Sequence, residues 1–360
     1  MKIFDYMQQY GYEQLVYFHD KATDLKAITC IHSTVLGPSL GGTRIWNYQD
    51  EDEATLDVLR LARGMTYKSA CAGLNLGGGK AVIIADPQEL RKDIVRREAF
   101  FRSFGRFVEG LNGRYITAED MNTTTQDMDY INMETNFVVG LEHKSGNPAP
   151  FTALGVYKAI LACCEAEYGS TCLKGKKVLV QGIGAVGYRL CQHLHEDGAE
   201  LFVSELNRER VAAAVEKFGA VEVDGNDVYG FDCDIFAPCA KGAGLNDETI
   251  PRLKCKIIAG AANNVLADIK KHGQQLHDRG IIYAPDYVAN AGGVINVYWE
   301  LHTYDVETVK RGIERIYSQT LEIILTSREK NLPTALIADQ MAEARIDAMR
   351  HVNSIYLNKR

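Results

Sequence analysis

The chain has 360 residues, a net charge of -7 and 46% hydrophobic residues. At about 150 residues per domain this length predicts two domains, each able to bury its own core. With 24% charged residues, disordered and fibrous classes drop out, and the mild acidity argues against a nucleic-acid footprint. No run is read as approaching the roughly 18 apolar residues of a membrane helix. The opening MKIFDYMQQYGYEQ has no basic segment followed by an apolar one, so no signal peptide is expected. Nine cysteines is an odd number, without the paired spacing of a zinc site or a disulfide scaffold. A reduced, cytoplasmic protein without a metal is expected.

In chain order, residues 27–32 form a short apolar run of strand length. Ala54, Val58, Leu59, Ala62 and Met65 then recur at helical spacing, preceded by acidic residues suited to a helix start. Residues 81–84 read as a buried strand. Phe100, Phe101, Phe104, Phe107, Val108 and Leu111 mark the inner face of another helix, closed by Asn112-Gly113. Residues 115–118 are a further strand. Prolines and polar turn residues at 141–151 mark a boundary. Beyond it a helix over about 152–168 leads into strands at 177–181, 201–204, 234–237, 256–259 and 281–284, with helices between them. After about 305 the chain reads as helical to its end. The fold class is α/β: one α/β domain, then a Rossmann-type, doubly wound parallel sheet, with a cleft between. The expected domains are 1–145, with C-terminal helices of about 330–360 packing back on it, and 146–329.

The strand 177–181 runs into Gly182-Ile183-Gly184-Ala185-Val186-Gly187 and then a helix. That is G-x-G-x-x-G in the context that gives it meaning, a tight turn presenting a helix N-terminus to a pyrophosphate. Glu205 follows the next strand, eighteen residues after Gly187. A carboxylate there accepts from ribose hydroxyls and repels a 2′-phosphate, favouring NAD over NADP. The nearby Arg208 and Arg210 weigh the other way. A glycine turn needed only for packing is the plainer alternative; strand, helix and acid together speak against it.

Gly77-Gly78-Gly79-Lys80 is not a phosphate-binding P-loop, because Leu74 and Ala81 stand where Gly and Ser/Thr are required. The glycines read instead as room for a closely approaching ligand beside a cationic head. Lys68, twelve residues earlier, falls just past the helix of 54–65. Two lysines converging in a closed cleft would depress each other, and bringing one to between 7 and 8 takes roughly 4 kcal/mol. Read alone, each is an ordinary solvated lysine. Asp120 falls at a strand end, where catalytic groups of α/β folds sit; as an N-cap for the helix of Met128 and Ile131 it has a plainer reading. Asn290 could likewise cap the helix of Val294 and Val297 or present its amide to a ligand. Cys163 and Cys164 read as core, with no basic partner to activate them.

Taken together, LGPSLGGTR (36–44), LARGMTYK (61–68), GLNLGGGKAVI (73–83), NGRYITAEDM (112–121), SGNPAP (145–150), AGAANN (259–264) and YAPDYVANAGGVINV (283–297) resemble the glutamate/leucine/phenylalanine/valine dehydrogenase superfamily. The pieces span nearly the whole chain in family order. The resemblance implies NAD-dependent, reversible oxidative deamination of an L-amino acid to a 2-oxo acid and ammonia, in a homo-oligomer, an octamer. The first domain would bind substrate and oligomerise; the second would bind NAD. It also implies Lys80 as the catalytic lysine, Asp120 as proton shuttle and Lys68 on the substrate α-carboxylate. Thr152, Asn263 and Asn290 would position nicotinamide or substrate.

The substrate positions of the family fall on Leu40, Gly41, Ala118, Val294 and Val297. Glutamate enzymes place a lysine and a serine where this chain has Leu40 and Val297, so a glutamate carboxylate would be buried unpaired, at a cost of several kcal/mol. Branched aliphatic substrates follow, with slight discrimination among leucine, isoleucine and valine. Three departures stand out: Glu205 where aspartate is usual, Met121-Asn122 in place of a smaller pair, and Tyr298-Trp299 after the NAGGVINV motif. The last keeps a phenylalanine- or tryptophan-type enzyme as the rival reading. A non-catalytic NAD-binding regulator is the rival of a different class, and the joint presence of Lys68, Lys80 and Asp120 argues against it.

Overall fold

The computed structural model describes residues 2–240 and 242–352. The chain divides into two units. The first takes the chain to Asn147, then Val297–Tyr304 and the chain from Ala342; the second takes Pro148–Asn296 and Asp305–Met341. These boundaries differ from 1–145 and 146–329 chiefly because two of them fall inside continuous helices, where no turn residue signals them. Of the segment expected to be helical to the chain end, residues 353–360 lie outside the described residues.

The first unit runs α1 (Ile3–Tyr10), β1 (Gln14–Asp20), β2 (Leu25–Ser33), β3 (Ser39–Trp46), α2 (Glu51–Cys71), β4 (Gly77–Ile84), α3 (Pro87–Lys92), α4 (Ile94–Glu109), β5 (Tyr115–Glu119) and α5 (Thr125–Asn132). Its sheet has the order β1-β2-β4-β3-β5. β1, β2 and β4 pair antiparallel, whereas β3 lies parallel to both β4 and β5. Alternation along the strands sends Ile28, Cys30 and Val82 toward Val58, Leu59 and Ala62 of α2. Ala27, Ile31, Ala81 and Ile83 pack on the opposite side with Phe100, Phe101 and Phe104 of α4 and Met128 of α5.

In this unit two strands, β1 and β3, were not among those expected. β3 reads SLGGTRIW, and paired glycines weaken a strand signal. α2 is also longer than 54–65. Asp50 caps its start by accepting from the Glu53 backbone N–H at 2.8 Å. Its last turns bury Thr66, Tyr67, Ser69, Ala70 and Cys71, mostly small or polar residues that carry no apolar period. Lys68 is therefore on the last turn of the helix, not beyond it.

The second unit contains α6 (Ala149–Tyr168), β6 (Lys177–Gln181), α7 (Ala185–Glu196), β7 (Glu200–Ser204), α8 (Arg208–Phe218), β8 (Val221–Glu222), β9 (Ile235–Pro238), β10 (Ile257–Ile258), α9 (Ile269–Asp278), β11 (Ile282–Tyr283) and α10 (Asp286–Ala289). α11 (Gly292–Glu300) and α13 (Thr334–Val352) each run across a unit boundary, and α12 (Val306–Lys330) lies wholly in the second unit. The sheet order β11-β10-β9-β6-β7-β8, parallel throughout, is the Rossmann order. By length and composition α6 could cross a membrane, with a mean hydropathy of 1.2 over 18 residues, contrary to the expectation of no such run. Ala153, Val156, Ala159, Ile160 and Cys163 are nevertheless fully buried, and α6 packs on α7 and α12 as a core helix.

Candidate active site

Lys80 lies on β4, two residues from Gly78 and so on the same face, the one α2 covers. Its ammonium is 3.1 Å from Asp120 Oδ2, and the lysine is 5% exposed. Burial pushes the Lys80 ammonium below its ordinary value, Asp120 opposes that, and Arg44 adds to it. For Asp120, burial by itself favours the neutral acid, but the charges and hydrogen bonds of Lys80 and Arg44 outweigh it and hold the carboxyl at about 2. The pair is a zwitterion poised around a lysine that sheds its proton more readily than usual.

The turn after β5 sets Asp120 in place. Its backbone N–H donates to Thr123 Oγ1 at 2.9 Å, the Ile45 N–H donates to the Met121 carbonyl, and Asn122, at φ +66°, donates through Nδ2 to the Ile45 carbonyl. α5 is capped by Thr124 in a capping box with Asp127, so Asp120 is not the N-cap of that helix. Gly42 makes room for the approach: a Cβ there would stand 2.7 Å from Asp120 Cβ.

Arg44, the last residue of LGPSLGGTR, received no role from the sequence. Its Nε donates to Asp120 Oδ2 at 2.9 Å and its Nη1 to Asp57 Oδ2 at 3.1 Å, while the Tyr48 hydroxyl donates to the same Asp57 oxygen at 2.6 Å. Only pairing across β3, α2 and β5 brings these residues together, so spacing along the chain carries no signal for them.

The three glycines before Lys80 lie inside β4, and it is protein that approaches them. A Cβ at Gly77 would meet the Ser33 carbonyl oxygen at 1.9 Å, one at Gly78 the Thr66 nitrogen at 2.1 Å, and one at Gly79 the Tyr115 ring at 2.8 Å. Their reading as ligand room is thereby corrected. Lys68 is half-buried on α2, two residues past Thr66. Leu40 pairs with Gly78 and Ile116, Gly41 with Thr117, and Ala118 with Gly42. Leu40 and Ala118 are buried. Gly41 is compressed against the Gly79 carbonyl oxygen, 1.7 Å from where its Cβ would stand, and its own carbonyl accepts from Tyr115 OH at 2.6 Å.

In the second unit the three motif glycines do three different things. Gly182 turns the chain at φ +88°. A Cβ on Gly187 would stand 2.0 Å from the Gly182 carbonyl oxygen, so the third glycine seats α7 on the turn. Gly184, at the N-cap of α7, meets nothing closer than Arg210 Nη1 at 3.8 Å. That open space over a helix N-terminus is what a pyrophosphate needs. Glu205 Oε2 accepts from the Ile183 N–H at 3.0 Å, Oε1 accepts from the Leu206 N–H at 2.8 Å, and Arg210 lies 3.8 Å away.

Asn290 does not cap α11. Its Nδ2 donates to Asn263 Oδ1 at 2.7 Å and to the Ala261 carbonyl at 3.1 Å, leaving a buried Oδ1 without a hydrogen-bond partner. A ligand N–H group would satisfy that oxygen. Thr152, in the first turn of α6, stands 2.7 Å from where a Cβ on Gly293 would be, and Gly292 is pressed on the Phe151 carbonyl. The double glycine thus admits the start of α11 to the start of α6. Val294 and Val297 sit three apart on α11, hence on one side of it, and both are buried. Cys163 and Cys164 are core, and burial pushes both thiols up.

Residues 13–137 match the family model for the Glu/Leu/Phe/Val dehydrogenase dimerisation domain, and residues 201–354 the Glutamate/Leucine/Phenylalanine/Valine dehydrogenase model. The chain belongs to the glutamate/leucine/phenylalanine/valine dehydrogenase family. Among similar proteins, the leucine dehydrogenase of Geobacillus stearothermophilus is 56% identical, across 99% of this chain and 96% of that protein. The leucine dehydrogenase of Bacillus subtilis (strain 168) is 54% identical, across 99% and 97%. The crystal structure of L-tryptophan dehydrogenase from Nostoc punctiforme superposes with a TM-score of 0.84 at 45% identity, covering 97% of this chain and 99% of that one. As a member of this dehydrogenase family the chain is an enzyme, and its two-unit α/β architecture is the family's fold.

Proposed function

We propose that this dehydrogenase carries out the NAD-dependent, reversible oxidative deamination of branched-chain aliphatic L-amino acids, leucine with valine and isoleucine, to 2-oxo acids and ammonia. The observation that carries the reading is the ion pair of buried Lys80 with half-buried Asp120 at 3.1 Å in a chain 56% identical to a leucine dehydrogenase. Lys68 supplies a point charge for the substrate α-carboxylate. NAD, held by Thr152, Gly182, Gly184, Gly187, Glu205 and Asn263, would supply the acceptor for the hydride that leaves the substrate α-carbon. Lys80, once neutral, takes a proton from the water that attacks the resulting imine, and as the ammonium it polarises the 2-oxo oxygen in reverse. Asp120 passes a proton to or from the amino group.

Leu40, Gly41, Ala118, Val294 and Val297 are assigned to the substrate, with Asn290 holding its polar end. Aliphatic preference rests on Leu40, whose buried side chain offers nothing to a substrate carboxylate. Thr152, Gly182, Gly184, Gly187, Glu205 and Asn263 are assigned to NAD. The Glu205 carboxylate beside the turn favours a free ribose 2′-hydroxyl over a phosphate. A homo-oligomer, an octamer, is proposed with the first unit as its contact domain, in keeping with the family description of residues 13–137. The nine free cysteines suit a reducing cytoplasm, and neither nucleic acid nor membrane is proposed as a partner.

The test is NADH formation with leucine, valine, phenylalanine and glutamate, on the wild type and on Lys80→Ala. Fastest turnover on leucine or valine, lost in the variant, is expected. Faster turnover on phenylalanine would move the assignment to the aromatic branch. Tight NADH binding with no turnover on any of the four would overturn the branched-chain substrate reading.

A further inference from the structure

We infer that Arg44 is a positioning residue that keeps Asp120 ionised and turned in one sense throughout the reaction, with Asp57 restraining Arg44 in turn. This rests on the proposed role of Lys80 and Asp120 and assigns two residues that have none. Arg44 touches the shuttle carboxylate, not substrate, so its part is exerted through Asp120.

Both cations approach the same oxygen. Lys80 Nζ is 3.1 Å and Arg44 Nε 2.9 Å from Asp120 Oδ2, the oxygen through which both ion pairs run. The oxygen not engaged by both cations is the more basic of the two and the one to exchange a proton with an amino group. The reaction also requires Lys80 to give up its charge. At that moment Asp120, half-buried beside it, would lose its only counter-ion if Lys80 were alone, and a partly desolvated carboxylate beside a neutral amine takes up a proton more readily. A protonated Asp120 can no longer accept one from substrate. The Arg44 guanidinium stays charged at every working pH, so the carboxylate keeps one cation whichever state Lys80 occupies. The same charge disfavours the Lys80 ammonium and lowers the pH at which Lys80 becomes a base.

Arg44 is itself only 17% exposed and needs a second partner. Asp57, from α2, accepts from its Nη1 at 3.1 Å and is fixed by Tyr48 OH at 2.6 Å. Asp57 acts on Lys80 in the opposite sense to Arg44, since its negative charge favours the ammonium. The ionisable groups around the pair are Arg44 of β3, Tyr48 after it, Asp57 of α2, Glu119 and Tyr115 of β5, and Cys30, paired with Lys80 across β2. Burial holds Tyr48, Tyr115 and Cys30 in their neutral forms at working pH and favours the neutral acid of Glu119.

The opposite signs give the test. The pH profile of kcat/KM for leucine oxidation is measured for wild type, Arg44→Met, Arg44→Lys and Asp57→Asn. In parallel, the rate of Lys80 acetylation by acetic anhydride is followed against pH by peptide mass spectrometry, which needs no turnover. Arg44→Met is expected to move the alkaline rise upward by about one pH unit, and Asp57→Asn to move it downward by a smaller amount. Arg44→Lys, which keeps the charge, should retain the wild-type position with a lower kcat. The acetylation profiles should move in step. Shifts of the same sign in Arg44→Met and Asp57→Asn, or a loss of kcat with all profiles unmoved, would overturn the inference. If Arg44→Met does not fold, the near-isosteric Asp57→Asn decides by the direction of its shift alone. Failure of the wild type to oxidise leucine would sink the functional reading, and the acetylation profiles would still decide this one.

Discussion

Gly78 and Thr66 are in such close contact that a single methyl group has no place between them: a Cβ on Gly78 would stand 2.1 Å from the Thr66 nitrogen and 2.2 Å from its hydroxyl oxygen. The backbone of α2 therefore rests directly on β4, two residues before Lys80. Gly78→Ala must push helix and strand apart, and an expected loss of about 3 kcal/mol follows from overpacking against backbone that cannot step aside. Gly64, on the same helix, has nothing within 4 Å of its missing Cβ. Gly64→Ala should raise stability by roughly 0.5–1 kcal/mol, because alanine loses less backbone freedom in a helix. Urea denaturation of both variants checks the contrast, and equal effects would contradict the packing described.

The glycine turn before α7 offers a second contrast. Gly187 is held against the Gly182 carbonyl, whereas Gly184 faces open space. Gly184→Ala should fold with a wild-type melting temperature and bind NADH at least about tenfold more weakly, since its methyl group occupies the approach of the pyrophosphate. Gly187→Ala should lose stability before binding is even measured. Thermal melts with and without NADH separate the two; a Gly184→Ala variant with unchanged NADH affinity would remove the pyrophosphate from this turn.

Much of this was readable from the sequence where chemistry is local. The Rossmann turn was legible because strand, glycines and helix are contiguous, and Lys80 and Asp120 because their segments carry the family resemblance. Arg44 and Asp57 were not, since each is an ordinary charged residue until β3, α2 and β5 bring the Arg44 guanidinium between the carboxylates of Asp57 and Asp120. The glycines of β4 were misread for a related reason. Local sequence shows that room is needed, and only the register of β3 and the path of α2 show that protein fills it. β3 itself was hidden by its two glycines, and the end of α2 by buried residues too small or polar to sustain an apolar period.

His32 supplies a prediction about pH. It is 7% exposed, edge-on to Tyr12, with Nδ1 2.8 Å from Thr66 Oγ1 and Nε2 3.1 Å from the Tyr10 carbonyl. A carbonyl can only accept, so Nε2 carries the proton and Nδ1 accepts from the hydroxyl. Burial lowers the pKa of His32 to about 4 from 6.5. The unfolded chain thus binds a proton that the folded one refuses between those values. The stability held by neutral His32 is complete above 6.5 and is lost as pH falls toward 4, a total of about 3 kcal/mol. The stability difference between wild type and His32→Phe should therefore shrink over that interval. A difference independent of pH would show that His32 titrates normally.

Side-chain selection is tested most directly at Leu40. It is 1% exposed on β3, between Gly78 and Ile116, and the family resemblance implies a lysine at this position and a serine at that of Val297 in glutamate enzymes. Under the assignment of Leu40 to the substrate side chain, leucine would bury alkyl surface against alkyl surface. With glutamate it would bury a carboxylate with no cation, at a cost of several kcal/mol. Leu40→Lys combined with Val297→Ser supplies the cation and a hydroxyl donor. The ratio of kcat/KM for glutamate over leucine should then rise by about 100-fold, the equivalent of roughly 3 kcal/mol. Most of that change should come from Leu40→Lys, since charge outweighs a single neutral hydrogen bond. The unliganded double variant should also melt lower than wild type, because the new lysine is buried without a partner until substrate arrives, and glutamate should restore part of that loss. A double variant that keeps its leucine turnover and shows no gain on glutamate would remove Leu40 and Val297 from the substrate side-chain pocket.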